Sequence, residues 1–379
     1  MKRSTYKNLN QIQISKSALK SNYDYFSSLS ENTQIAPVLK SNAYGHGIIE
    51  VGKYVDKHIK PPFICVDSLY EAYQLQKAGV KTNILIIGYT FPENFKKTRK
   101  KLPFHIPVYD LETLKILNKH QPGANVHIKI DTGMNRLGLK LADVPTFITY
   151  AQSCDNLNFV GIYSHLSKAD DPKAIQHTKE QLQLFKEVLK IFKHHNFSFK
   201  WRHISASAGA SIIRDNTFNL ARVGLGFYGY SPFNQSVKLG RSQQKKLSPA
   251  LSFISHLIQI KQIQKGDQVS YGGTFLAPKD MTIGILPAGY YEGIERRLSN
   301  RGFVSINNIP CQIIGRVCMN LTIIDISNVP NVEVGNEVFI YSSNNKHKNT
   351  VKKSAKLANT IPYVLLCHLS ESTKRILID

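Results

Sequence analysis

The chain has 379 residues, is 42% hydrophobic and carries a formal net charge of +23, so it can bury one large core and a second, smaller one. No apolar run approaches the length of a membrane span, and the five cysteines (Cys65, Cys154, Cys311, Cys318, Cys367) show neither paired nor zinc-like spacing, which favours a reducing compartment over secretion. The positive excess is scattered, and its densest clusters, Lys96 to Lys101 and Lys245-Lys246, lack interleaved aromatic residues for base stacking, so a solvated surface is expected rather than nucleic-acid or membrane binding.

Met1 to Asn10 is polar and basic without an apolar stretch, so no signal peptide is expected and the cytoplasm is the expected location. A short strand (Gln11 to Ile14) precedes Ser15, a helix N-cap, and Lys16 to Ser30 is helical in period through Leu19, Tyr23, Phe26 and Leu29. Strand-like runs then recur at Ile35–Leu39, Phe63–Val66, Ile84–Ile87, Ile106–Tyr109, Val126–Ile130, Phe159–Ser164, Arg202–Ser205 and Asn219–Val223. Helix-like segments separate most of them: Ile48–Val55, Leu69–Ala78, Phe95–Lys101, Leu111–His120, Ala142–Ser153 and Ala174–His194. Eight strands alternating with helices over roughly 220 residues match an α/β fold of the (β/α)8 TIM-type barrel class; a doubly wound open sheet is the alternative. Ser231 to Lys246 reads as a polar linker. Beyond it come β-branched, alternating runs: Ile254–Ile263, Gln268–Phe275, Met281–Leu286, Phe303–Ile306, Cys311–Ile314, Leu321–Ile326 and Glu337–Tyr341, then a helical piece at Ser354–Thr360. The expected organisation is a barrel over residues 1–240, with residues 1–14 lending a strand to a mostly antiparallel β domain over 241–379.

In such a barrel the chemistry sits at the carboxyl ends of the strands. The first delivers Lys40 and Tyr44, the fifth Lys129 and Arg136, the sixth His165, the seventh Ser207, and the eighth Arg222-Val223-Gly224-Leu225-Gly226. A lone strand-end lysine is ordinarily a solvated one, and Gly-x-Gly alone is a tight turn. Together with Ser207 and two tyrosines, however, they point to a phosphorylated aldehyde held by the lysine as a Schiff base, its phosphate at the eighth-strand loop. His127, His165 and His203 lack ligand-like spacing with carboxylates, so no metal is expected.

The run Pro37-Val38-Leu39-Lys40-Ser41-Asn42-Ala43-Tyr44-Gly45-His46-Gly47 resembles the pyridoxal-phosphate attachment motif of alanine racemases. Segments His127 to Gly138, Asn219 to Gly229, Val269 to Gly272, Gly315 to Met319 and Asn359 to Tyr363 follow that family's pattern in the same order. The resemblance covers nearly the whole chain. It implies an isomerase that uses pyridoxal 5'-phosphate to interconvert L- and D-alanine for peptidoglycan in the cell wall, working as a homodimer with shared active sites.

By the same resemblance, Lys40 holds the cofactor and serves as one base, and Tyr271, from the partner subunit, is the second. Two bases on opposite faces of Cα are the minimal design for racemisation. Arg222 faces the pyridine nitrogen. Tyr44, Ser207 and Tyr363, with the backbone at Gly224 and Leu225, bind phosphate. Arg136 touches the phenolic oxygen and helps bind substrate, oriented by Lys129, which the family can carbamylate. His165 packs by the ring and supports Arg222, Met319 of the partner subunit offers its N–H to the substrate carboxylate, and Tyr290 lines the entrance.

Four departures from the family pattern stand out: Asn320 for an aspartate, Ala206 for an asparagine, Gly289-Tyr290-Tyr291-Glu292-Gly293 for Gly-Tyr-Ala-Asp-Gly, and Val364 for an acidic residue. None removes a base. They leave open a racemase of broader specificity, while a non-catalytic pyridoxal-phosphate carrier would need no second domain.

Overall fold

The computed structural model describes residues 6–97, 101–233 and 247–379. The expected boundary between residues 240 and 241, most of the expected linker and the Lys245-Lys246 pair lie outside the described residues. The chain divides into two compact units, one of Leu19–Ser41 and Val51–Leu247, the other of Met1–Ala18, Asn42–Glu50 and Ser248–Asp379.

After β1 (Gln11–Ser15), which belongs to the second unit, the first unit carries β2 (Gln34–Pro37), β3 (Ile64–Val66), β4 (Ile84–Ile86), β5 (His105–Val108), β6 (Ala124–Lys129), β7 (Leu157–Tyr163), β8 (Trp201–His203) and β9 (Leu220–Val223). Each lies within two residues of its expected place. Strands β3 to β8 form a parallel sheet in sequence order, and β2 pairs with β9 in parallel. Two seams complete the ring. On one side Val38 bridges Cys65, with Leu39 N donating to Cys65 O at 2.8 Å. On the other, Asn219 N donates to Arg202 O and Arg222 N to Ser205 O, both at 3.0 Å. This is the expected eight-stranded barrel, and strands such as β3, β4, β5 and β9 are buried at every residue, as parallel strands covered by helices must be.

Aromatic rings share the barrel interior with the usual branched aliphatics. Phe63 meets His105, His127 and Trp201 edge-on, with centroids 4.7, 5.6 and 5.2 Å away. The His127 ring fits because its neighbour on β7 is Gly161, where a Cβ would come within 2.2 Å of the imidazole. The β6–β7 register also shifts between Val126 and His127.

The second unit is mostly antiparallel, as expected. It contains β10 (Leu251–His256), β11 (Gln259–Ile263), β12 (Gln268–Val269), β13 (Phe275–Leu276), β14 (Met281–Leu286), β15 (Phe303–Ile306), β16 (Ile309–Gln312), β17 (Thr322–Asp325), β18 (Glu337–Tyr341) and β19 (Lys374–Ile378). Six of its strands form one sheet in the order β16-β15-β18-β10-β1-β19, and β11-β14-β17 form another. The single strand expected over Ile254–Ile263 is therefore two strands in different sheets, because the chain changes partners at Leu257-Ile258. The strand expected over Gln268–Phe275 is interrupted by a tight turn at Tyr271–Gly273, entered through Ser270 at φ 65. The helices Ser207–Ile212 and Pro362–Cys367 and the strand β19 were not expected, being too short or too polar to show a period. Among the described residues, no helix is long and apolar enough to cross a membrane.

The helix Lys16–Ser27 starts where Ser15 was expected to cap it, Ala18 N donating to Ser15 Oγ at 3.0 Å. Asp379 adds a second cap: its carboxylate accepts the N–H groups of Lys16 and Ser17 at 2.8 and 3.2 Å and the hydroxyls of Ser15 and Ser17 at 2.9 and 2.7 Å. This seats β19, parallel to β1, on the start of the helix. Asp379→Ala should lower unfolding stability by about 1 kcal/mol, in line with loss of a helix cap, as measured by urea titration.

Candidate functional site

Lys40 lies just past β2, with its Nζ 3.6 Å from Asp67 Oδ1. Asp67 directly follows β3, so the strand-end rule that singled out Lys40 applies to it as well. Glu71 ties the two strand ends together by accepting Ser41 N at 2.6 Å and Asp67 N at 2.9 Å.

Lys129 ends β6 and is buried, its Nζ 5.5 Å from the centre of the Tyr163 ring. Burial, then the cations of Arg222 and Arg136, lower its pKa to about 8, against a smaller opposing pull from Asp67. Arg136 is exposed on the loop that follows. There Asp131 Oδ1 gathers the N–H groups of Gly133, Met134 and Asn135 at 2.9, 2.9 and 3.1 Å.

Arg222, on β9, is only 3% exposed. Its hydrogen-bond partners among the described residues are all neutral: His203 Nδ1 at 2.7 Å, Ser164 O at 2.9 Å, His165 Nδ1 at 3.2 Å and Ile204 O at 3.5 Å. The Tyr163 ring covers its face at 5.1 Å. The alternative meaning of a barrel-rim arginine, a partner for a carboxylate, is not what the described residues provide. A buried guanidinium without a counter-charge is costly to maintain.

A file of imidazoles runs inward from Arg222. His203 Nε2 is 3.0 Å from His127 Nδ1, and His127 Nε2 is 3.0 Å from His105 Nδ1. An arginine has only donors, so His203 must accept at Nδ1 and carry its proton on Nε2. The same constraint passes to His127 and then to His105, making all three Nε2–H tautomers. Burial keeps each neutral: His127 and His203 fall well below the ordinary value, and His105, also repelled by Lys101 and Lys200, falls to about 4. His165 is lowered to about 3 by burial and then by Arg222.

Ser207 opens the helix Ser207–Ile212, and its Oγ accepts Gly224 N and Gly226 N at 3.2 Å each. The hydroxyl proton is then left to donate outward, as an anion would require. Gly226 cannot be replaced cheaply, because a Cβ there would lie 2.4 Å from the Phe26 ring. Leu225 is buried between the two glycines. Four cations, Lys40, Lys129, Arg136 and Arg222, stand at or beside these strand ends, with Asp67 next to Lys40, an excess of positive charge that suits an anionic ligand.

In the second unit, Tyr44 and Tyr363 face each other with ring centroids 6.0 Å apart. The stretch before Gly45 is a left-handed helical turn. Ser41, Asn42, Ala43 and Tyr44 hold φ of 55, 53, 54 and 52, and Gly45 follows at 77. Four non-glycine residues in this conformation cost roughly 4–8 kcal/mol at the usual penalty per residue.

The other second-unit candidates occupy three linked loops. Tyr271 is 72% exposed; beside it Ser270 Oγ donates to Arg316 O at 2.7 Å. Tyr290 N and Tyr291 N donate to Cys318 O and Met319 O at 3.0 Å each. Gly289 permits this approach, since a Cβ would stand 2.1 Å from Cys318 O.

The alanine racemase N-terminal domain profile matches residues 14–232 and the C-terminal domain profile residues 250–377. The chain belongs to the alanine racemase family. It is similar to the alanine racemase of Staphylococcus carnosus (33% identical, covering 96% of this chain and 94% of the relative) and to that of Borreliella burgdorferi (36% identical, 91% of each). Among solved structures it resembles alanine racemase from Clostridium difficile 630, with TM-score 0.89, 28% identity and coverage of 99% and 97%. A Bacillus anthracis alanine racemase with bound L-Ala-P gives TM-score 0.89, 26% identity and coverage of 99% and 96%.

Two departures from the family pattern answer each other. Asn320 Nδ2 donates to Glu292 Oε1 at 2.8 Å, while Glu292 Oε2 accepts Gly289 N at 2.7 Å. An aspartate at 320 would set a second carboxylate against Glu292, so the amide suits the longer acid. The residues not found from the sequence are Asp67, Glu71 and His105.

The buried histidines carry a pH consequence. Because His105 is neutral in the fold down to about 4 but titrates near ~6.5 when unfolded, the unfolded chain binds the extra proton in between. Stability should therefore fall as pH drops from ~6.5 toward ~4. His105→Phe should flatten that slope by up to one proton's share, read from urea unfolding midpoints across this range.

Proposed function

We propose that this chain interconverts L- and D-alanine using pyridoxal 5'-phosphate, and that its active form is a homodimer. The observation that carries this reading is Arg222, a buried guanidinium whose partners are all neutral. The strand-end cations and the Ser207–Gly224–Gly226 cradle also fit the group, offering an amine for its aldehyde, hydroxyl and amide groups for its phosphate, and a permanent donor for its ring nitrogen. Lys40 would hold it through Nζ, Arg222 would donate to the ring nitrogen, Arg136 to the phenolic oxygen, and Tyr44, Ser207, Tyr363 and the Gly224–Leu225 backbone to the phosphate. When bound, pyridoxal 5'-phosphate supplies the electron sink that makes the alanine Cα–H acidic.

The remaining roles belong to the protein. Lys40 Nζ moves the proton on one face of Cα, and Tyr271 Oη of the partner subunit moves it on the other. Arg222 neither gives up nor accepts a proton, so it would donate a hydrogen bond to the ring nitrogen without protonating it. His165 and the imidazole file orient Arg222. Met319 of the partner subunit offers its N–H to the substrate carboxylate, and Tyr290 lines the entrance. Tyr271, Tyr290, Tyr291, Met319 and Leu321 are exposed on one chain, a set of apolar groups suited to cover by a second copy. D-alanine made this way in the cytoplasm would serve peptidoglycan synthesis.

Lys129 carries a further assignment, carbamylation. Its amine, with a pKa of about 8, is neutral often enough to attack CO2, forming the N–C bond and releasing one proton. The resulting anion would pair with Arg136. Intact-mass measurement in bicarbonate near pH 8 should show the added mass of one CO2 on wild type and none on Lys129→Ala; an unmodified wild type would overturn the assignment.

The racemase reading is tested by incubating the protein with L-alanine in deuterated water and following D-alanine and Cα deuterium. Lys40→Ala should lose the visible absorbance of bound cofactor along with activity. Tyr271→Phe should keep the absorbance and lose activity by about 10²–10⁴, the usual worth of a general base, mainly in the direction starting from L-alanine. Wild type that racemises serine, lysine or arginine as fast as alanine would point to the broader-specificity alternative, which the altered Glu292–Asn320 loops leave open.

A further inference from the structure

The left-handed turn that ends in Tyr44 and Gly45 is an unfavourable backbone conformation and has to be held from outside. Two side chains hold it by its carbonyls. His46, fully buried, places Nδ1 at 2.9 Å from Tyr44 O and 3.1 Å from Ala43 O, so this nitrogen must carry the proton and donate. Arg375 grips the next carbonyl, with Nε and Nη2 donating to Gly45 O at 3.2 and 3.0 Å.

Arg375 also reaches the segment that carries the other tyrosine. Its Nη1 donates to Ser370 O and Thr373 O at 2.6 and 2.7 Å, and its Nη2 to Leu369 O at 3.2 Å. Leu369 lies two residues beyond the helix Pro362–Cys367, which bears Tyr363. That helix lies directly against the turn, since a Cβ on Gly45 would come within 1.9 Å of Leu366 O. Arg375 is itself fixed on β19, in register with Ile12 of β1. One guanidinium thus fastens both tyrosine-bearing segments to the same sheet, using carbonyl acceptors throughout.

We propose that Arg375, assisted by His46, is a positioning residue for cofactor recognition: it locks the left-handed turn and the Pro362–Cys367 helix so that Tyr44 and Tyr363 present their hydroxyls together to the phosphate. This rests on the reading of Tyr44 as a phosphate ligand. Arg375 touches no ligand itself. A lysine keeps the charge but not the planar fork that binds several carbonyls at once.

The test compares two probes on full-length protein freed of cofactor, pyridoxal 5'-phosphate and pyridoxal, by equilibrium dialysis. Arg375→Lys should weaken binding of the phosphorylated probe on the order of ten- to a hundredfold, as for loss of charged hydrogen bonds, and leave pyridoxal binding unchanged. His46→Phe, which removes the donor on the other side of the turn, should give the same selective loss and serves if Arg375→Lys does not fold. Equal loss for both probes, or none for either, overturns the proposal. Tyr44→Phe separates the two levels of the argument: if it weakens the phosphorylated probe selectively and the Arg375 and His46 variants do not, only the positioning role fails. If Tyr44→Phe leaves the ratio of the two affinities unchanged, the phosphate role of Tyr44 fails, and the positioning role with it.

Discussion

A guanidinium that no carboxylate among the described residues neutralises sits at the end of β9, and much of the barrel interior is arranged to accommodate it. Arg222 is supplied with imidazole nitrogens, carbonyl oxygens and the Tyr163 ring face. These neutral acceptors take hydrogen bonds from its two terminal nitrogens without quenching its charge. The consequences spread to residues well away from it. His203 and His127 must accept in a fixed sense, Gly161 must lack a side chain to admit the His127 ring, and the β6–β7 register slips where that ring enters. Burial lowers the pKa of Lys129 and His165, and the same charge lowers both further.

The second unit follows a different principle. Its candidate residues stand on loops whose geometry is imposed by backbone contacts. Gly289 against Cys318, Ser270 against Arg316 and the turn ending at Gly45 against Leu366 are all close approaches that a larger or differently shaped residue would spoil. Where the family pattern is altered, the alteration is paired. Glu292 and Asn320 meet in a hydrogen bond, so two changes far apart in sequence are one change in space.

The barrel was legible because its strands are short apolar runs at regular intervals, and strand-end logic led directly to Lys40, Lys129, Arg136 and Arg222. The antiparallel unit was legible in kind but not in detail. The strand-like run continues through Leu257-Ile258 with no glycine or proline to punctuate it, so no turn signal marks the change of sheets there. The left-handed turn was not legible either, because Ser41, Ala43 and Tyr44 carry no mark of positive φ, and a single asparagine, Asn42, marks one such residue and not a run. Asp67 follows a strand just as Lys40 does and could have been found by the same rule. His105 shows its role only once the barrel turns β5, β6 and β8 toward one interior.

The imidazole file has one further property. A chain of hydrogen bonds conducts protons only if every link can reverse, and reversal must begin with an end group that can release or accept one. Arg222 closes one end and does neither. The file is therefore an insulator despite its resemblance to a wire: its three tautomers are fixed in one sense, and it passes no proton to or from Arg222.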